Sequence, residues 1–232
     1  MKNALIVGAS SGIGQKLAHI LSNNGDAVFG TYFNHPQESS SQNITYHYLN
    51  VLDSEFSLEF LPDTLDGLVY CPGLINLKPF HRTKPEEYLA DYNTQVIGAI
   101  KVIQAALPKL KKGKDPSIVL FSTVAVQTGY NFHSLVASSK GAIEGLTRSL
   151  AAEFAPTIRV NCIAPSLTDT PLASKLLNTD AKKEANENRH PLKRIGQSED
   201  LAQMASFLLS EKASWITGQV MKVDGGMSSI NL

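Results

Sequence analysis

Lys140 stands inside an apolar helical stretch, among Val136, Ala137, Ser138, Ser139, Gly141 and Ala142, where an ammonium group needs hydrogen-bond acceptors or a polar cleft. A lysine that snorkels to solvent from the helix edge is the bland alternative. Upstream lie Ser122 and Thr123, which carry hydroxyls, and Tyr130 and His133, which carry a phenol and an imidazole. Histidine titrates near neutrality, so His133 suits general acid–base work, although a loop histidine can equally be a polar surface residue. Far upstream, Gly8-Ala9-Ser10-Ser11-Gly12-Ile13-Gly14 follows an apolar run and precedes a helical pattern. Glycines at 8, 12 and 14 permit a tight turn and close backbone approach, which aims amide N–H groups and a helix N-terminus at a pyrophosphate.

These groups need a scaffold, and the pattern supplies one. Ala4–Val7 is a short apolar run of the kind found in strands buried on both faces, and Ile13, Leu17, Ile20 and Leu21 fall on one helical face after the glycine turn. Asn23-Asn24-Gly25 stops that helix, and a second strand follows at Ala27–Thr31. Further strands are expected near residues 46–53, at Gly67–Cys71, at Ser117–Ser122, at Ile158–Ala164 and within 215–226. A short crossover helix should lie between the third and fourth. Long helices are expected over residues 85–107 and from Ser134, and another through Leu209, capped by Ser198. The order predicts an α/β chain, a Rossmann-type doubly wound parallel sheet of about seven strands with helices on both faces, in three αβα layers.

Composition narrows the function. The chain has 232 residues, 43% hydrophobic and 18% charged, enough for one large α/β domain spanning 1–232. Lys plus Arg equals Asp plus Glu at 21 each, and no long run of one sign occurs, which disfavours nucleic acid and anionic membranes as partners. No apolar run approaches a membrane span and no signal-peptide layout opens the chain, so a soluble cytoplasmic protein is expected. Cys71 and Cys162 sit in apolar runs without CxxC spacing and read as buried thiols; no metal site is expected.

The glycine turn, with Ala-Ser-Ser between its first two glycines, resembles the short-chain dehydrogenase/reductase family, as does the tail Ile216-Thr217-Gly218-Gln219 through Val223-Asp224-Gly225-Gly226. The resemblance covers essentially the whole chain. It implies hydride transfer between a nicotinamide cofactor, NAD or NADP, and a small carbonyl or alcohol substrate. The family's residues map onto this chain in sequence. Gly8, Ser10, Ser11, Gly12, Ile13 and Gly14 would hold the pyrophosphate; Tyr32, at the end of the second strand, would meet the adenosine ribose. With neither an acid nor an arginine there, NADP is favoured only weakly. Asn50 and Val51 match the adenine-contacting stretch, and Gly73 alone survives from N-N-A-G. Asn93, with Gly98, matches the asparagine that holds a relay water, though an exposed polar position is the plain alternative. Pro165, Thr168 and Thr170 match the segment that binds the nicotinamide carboxamide, with Ser166 in place of its glycine.

The family's Y-x-x-x-K pair is where this chain departs. Lys140 takes the lysine position, which binds the nicotinamide ribose, and Thr123 takes the serine position, but Val136 stands where the tyrosine belongs. Valine can neither give nor take a proton. Tyr130 or His133 would have to stand in. Residues 171–196 read as a substrate lid, a homo-oligomer is expected, and two other functions stay open: a cofactor-binding protein without redox turnover, and a non-redox lyase or isomerase.

Overall fold

In the computed structural model, which describes residues 1–37 and 43–231, seven parallel strands form one sheet. In chain order these are β1 (Asn3–Val7), β2 (Ala27–Tyr32), β3 (Ile44–Tyr48), β4 (Gly67–Tyr70), β5 (Ser117–Phe121), β6 (Arg159–Pro165) and, after a two-residue pair β7 (Thr168–Asp169) and β8 (Gly196–Gln197), β9 (Val220–Val223). The order across the sheet is β3-β2-β1-β4-β5-β6-β9. The expected doubly wound architecture is thus observed. β4 and β5 are buried at every residue, as their unbroken apolar runs require of strands covered on both faces.

Two apolar layers cover the sheet. On one side, α1 (Gly12–Asn23) and α6 (Ser198–Leu209) press Leu17, Ala18, Leu21, Leu201, Ala205 and Leu208 onto Ile6, Val69 and Val119. On the other, α3 (Gly98–Leu110) and α4 (Ser134–Phe154) cover Leu5, Leu68, Ile118 and Val160, and α2 (Pro85–Tyr92) packs against α4. The last helix, α5 (Asp180–Arg189), lies in the 171–196 segment and buries none of its residues. Strand order reverses between β1 and β4, which opens a crevice at their carboxyl ends. No helix among the described residues is long and apolar enough to cross a membrane.

Several expectations change. The link between β3 and β4 contains no helix; Leu58, Leu61 and Leu65 pack it against the core as irregular chain. Strand β3 ends at Tyr48, because Asn50 turns the chain: its Oδ1 accepts from Leu52 N at 3.1 Å. The capping residue of α6 is Gln197, whose backbone N–H donates to Asp200 Oδ2 at 2.8 Å, and Ser198 is already helical. The helix expected over 85–107 is interrupted by a π-helical turn at Asn93–Ile97. The Tyr70 hydroxyl donates to the Thr94 carbonyl inside that turn at 2.5 Å, and a Cβ on Gly98 would sit 2.4 Å from the same hydroxyl. Strand β4 thus holds the helix in its widened form, and only glycine at 98 leaves room.

The glycine turn is fixed by packing as well as by backbone freedom. Gly8 and Gly12 have φ of +79° and +54°, and a Cβ on Gly14 would lie 2.2 Å from the Gly8 carbonyl oxygen. Gly14→Ala is expected to cost at least about 1–3 kcal/mol, the range for forcing extra carbon into a packed interior. Chemical denaturation measures it, and an unchanged midpoint would contradict the close approach.

Candidate active site

A cavity of about 640 Å³ opens over the crevice, within the range of small-molecule and cofactor sites. One end is lined by Gly8, Ser10, Ser11, Gly12, Ile13 and Gly14. The first turn of α1 holds no acidic residue, and the Ser11 side chain makes no cap hydrogen bond, so the first amide N–H groups of the helix are left without a side-chain acceptor. That end fits a phosphate-bearing group. Thr31 braces the turn from below: its Oγ1 accepts from Gly8 N at 3.2 Å and its carbonyl from Ala9 N at 2.8 Å.

The middle of the cavity is lined by Thr123, Val136 and Lys140, brought together by the end of β5 and the start of α4. Lys140 is buried, and its Nζ donates to the Phe121 carbonyl at 2.8 Å. Burial pushes its ammonium down to about 8, against the opposing pull of Cys162, Asp91 and Cys71. Thr123 caps a short 3-10 turn, Val124–Val126, accepting from Ala125 N at 3.3 Å; its own O–H remains available to a ligand. Ser122 does not share that role, because its hydroxyl donates to Glu144 Oε1 at 2.8 Å. Gln127 Nε2 and Arg148 also bind Glu144, so this carboxylate ties the loop after β5 to α4. Val136 is 7% exposed and presents a hydrocarbon wall one helical turn from Lys140.

The residues expected at the site divide cleanly. Gly73, Pro165, Thr168, Thr170 and His133 line the cavity, while Tyr130 does not and instead stands against the His133 ring with centroids 5.5 Å apart. Tyr32 packs edge-on against Tyr48 away from the cavity, and Phe33, Asn34 and His35 line it in its place. Asn50 is committed to its own turn, and Val51 belongs to the apolar core. Neither lines the cavity.

Asn93 is the clearest correction, for it is exposed and lies off the cavity. Gln95, within the π turn, faces inward instead, fully buried and against the cavity. Gln95 Nε2 donates to Asp91 Oδ2 at 2.6 Å, and because an ionised carboxylate only accepts, this bond fixes the amide with Oε1 turned away from Asp91. Gln95 Oε1 has no partner among the described residues and lies 3.7 Å from where a Gly73 Cβ would be. Burial raises the Asp91 pKa, while its hydrogen bonds and Lys140 act against the rise. The missed signal was in the sequence: Asp91 and Gln95 extend backwards, at four-residue spacing, the buried stripe of Ala99, Val102 and Ala106, which leaves Asn93 on the opposite face.

Comparison with known proteins agrees with this geometry. A family model described as Enoyl-(Acyl carrier protein) reductase matches residues 8–228. A tropinone reductase homologue of Arabidopsis thaliana is 33% identical over 97% of this chain and 92% of that protein. The ligand-free aldohexose dehydrogenase of Thermoplasma acidophilum superposes with a TM-score of 0.88 at 27% identity, covering 100% of this chain and 96% of that one. ElxO with NADP bound superposes with a TM-score of 0.86 at 29% identity, covering 99% and 100%. The chain belongs to the short-chain dehydrogenase/reductase family of oxidoreductases.

The buried lysine gives a pH signature. A lysine whose folded pKa falls from 10.5 to about 8 binds fewer protons than the unfolded chain between those values, so its burial penalty is relieved as pH rises through that window. Lys140→Met should therefore melt at the same temperature as the natural chain or higher at pH 7, with the natural chain gaining on it between pH 8 and 10. Denaturant titrations of both at pH 7, 8.5 and 10 test this. A constant difference would mean that the buried amine keeps its ordinary pKa.

Proposed function

We propose that the chain is an NAD(P)-dependent oxidoreductase acting on a small carbonyl or alcohol compound, with a proton donor other than the phenol usual in its family. One observation carries the reading: a buried lysine amine and a glycine-rich helix start line the same cavity. The glycine turn would hold the pyrophosphate, and Lys140 the nicotinamide ribose. Pro165, Thr168 and Thr170 would meet the carboxamide end, with Phe33, Asn34 and His35 at the adenosine end. ElxO, solved with NADP, supports this assignment through its likeness over nearly the whole chain. No carboxylate at 32–35 would repel a 2′-phosphate and no guanidinium would pair with one, so NADP is favoured weakly over NAD.

The bound nicotinamide would supply or receive the hydride. The protein's share is to hold the reacting groups and exclude water. Among the described residues Lys140 has a single acceptor, Phe121 O, so its remaining N–H groups can donate to ribose hydroxyls. The Thr123 hydroxyl can donate to a substrate oxygen, and Gln95 Oε1 presents an acceptor to a hydroxyl or water nearby. Leu172, Ala173 and Leu176, from the segment after β7, line the cavity and would cover the substrate as a lid. A single domain across 1–232 and a homo-oligomer complete the proposal.

Val136 on the cavity wall favours one rival, cofactor binding without turnover. Fluorescence titration with NADPH and NADH should give saturable binding that Lys140→Met weakens. A reduction and oxidation screen over aldehydes, ketones and alcohols, run beside Val136→Tyr, should find turnover by the natural chain. Binding together with turnover only in Val136→Tyr would move the function to the rival, and absence of binding by either nucleotide at millimolar concentration would sink both.

A further inference from the structure

A hydroxyl–imidazole pair reaches the cavity wall at Ser166, a residue given no role so far. Ser166, at the end of β6, lines the cavity, and its Oγ lies 2.8 Å from Nε2 of His190. His190 follows α5 directly and is 3% exposed; its Nδ1 lies 2.7 Å from the Asn186 carbonyl. A carbonyl can only accept, so Nδ1 carries a hydrogen. In the neutral ring Nε2 is then the acceptor, and the Ser166 hydroxyl donates to it. In the protonated ring the bond reverses: Nε2–H donates to Oγ, and the serine's own hydrogen is released toward the cavity. The pair can pass a proton without moving a heavy atom.

The hydroxyl has no counterpart in the matched family segment, where position 166 is glycine. It arrives in a chain that lacks the phenol at position 136. Other donors at the cavity are less well supplied. Burial pushes the Cys71 thiol up to about 12, which makes it a poor proton donor near neutrality. His133, whose Nδ1 is likewise held by the Asn131 carbonyl at 2.7 Å, sits half-exposed at the start of α4, where, among the described residues, no hydroxyl stands between its Nε2 and the solvent.

We infer that Ser166 delivers the proton that Val136 cannot, with His190 as the positioning group and proton reservoir behind it. The inference rests on the hydride-transfer reading above. In the reducing direction the carbonyl carbon gains the hydride from bound NAD(P)H, and the carbonyl oxygen takes the Ser166 Oγ proton. Ser166 takes the Nε2 proton of His190 in the same event. The C=O π bond becomes the C–H and O–H bonds of an alcohol, the imidazolium becomes neutral imidazole, and no serine alkoxide forms. Cavity water recharges the pair between turnovers, and oxidation runs the same transfers backwards.

The test is steady-state turnover at saturating NADPH, on whichever carbonyl the natural chain reduces, for Ser166→Ala, Ser166→Gly and His190→Gln. His190→Gln keeps a hydrogen-bond partner for Ser166 but cannot carry a proton. Each variant should lose ~10²–10⁴-fold in kcat, the usual weight of a general acid, with NADPH affinity and melting temperature close to the natural chain's. A readout apart from turnover is nitrogen-15 NMR of His190, expected to show the neutral ring protonated at Nδ1, with an Nε2 resonance that moves in Ser166→Ala.

The inference fails alone if the natural chain turns over and both serine variants match it, or if His190 is protonated at Nε2 when neutral. It also fails if the loss appears in His133→Ala rather than at Ser166. Unimpaired turnover by His190→Gln would reduce His190 to a clasp and overturn its part. Cofactor binding by the natural chain without any turnover would instead remove the hydride reading, and the inference with it.

Discussion

The Lys140 ammonium is the constraint to which the centre of the molecule answers. Taking it from water is expensive, and its single acceptor among the described residues is the carbonyl at the end of β5. That bond sets where α4 crosses the sheet. It leaves the remaining N–H groups short of partners, with Asp91 close enough to offset part of the charge. The partly compensated charge is consistent with a site made to be completed by a ligand. A core lysine satisfied wholly by the protein would have no use for the cavity beside it.

A second layer of constraint comes from β4. Tyr70 cannot end its strand beneath α3 unless residue 98 lacks a side chain, and its hydroxyl then occupies a carbonyl that a regular helix would use itself. The helix accommodates this with a π turn at Asn93–Ile97. Within it Gln95 faces in and Asn93 faces out, continuing the buried stripe of the helices on either side. Such turns frequently occur at functional sites.

The architecture was legible because its signals are short-range: apolar runs for buried strands, a glycine turn before an amphipathic helix, and a terminal motif of glycines. That the glycine turn, Thr123, Lys140 and the segment after β6 meet at one cavity was equally legible, since each sits at a fixed offset from a strand end. Asn93 was placed by motif offset from Gly98, while the buried stripe through Asp91, Gln95 and Ala99 leaves it on the exposed face of the helix. Asn50 and Tyr32 were misread for a related reason, as both were placed by motif position while their side chains answer to neighbours, Leu52 and Tyr48. The Ser166–His190 contact was invisible because it joins residues 24 apart through a buried imidazole that no local pattern marks.

Helix α5 has a consequence for how such a molecule could work. It contributes nothing to the core; Thr179 caps it from within, accepting from Lys182 N, and the residue after its last turn, His190, ties it to Ser166 at the end of β6. A segment attached in this way can unfold or swing without loss of the global stability that Gly14 or Tyr70 protects. Local opening of this segment therefore costs less than global unfolding, since no core packing has to be broken.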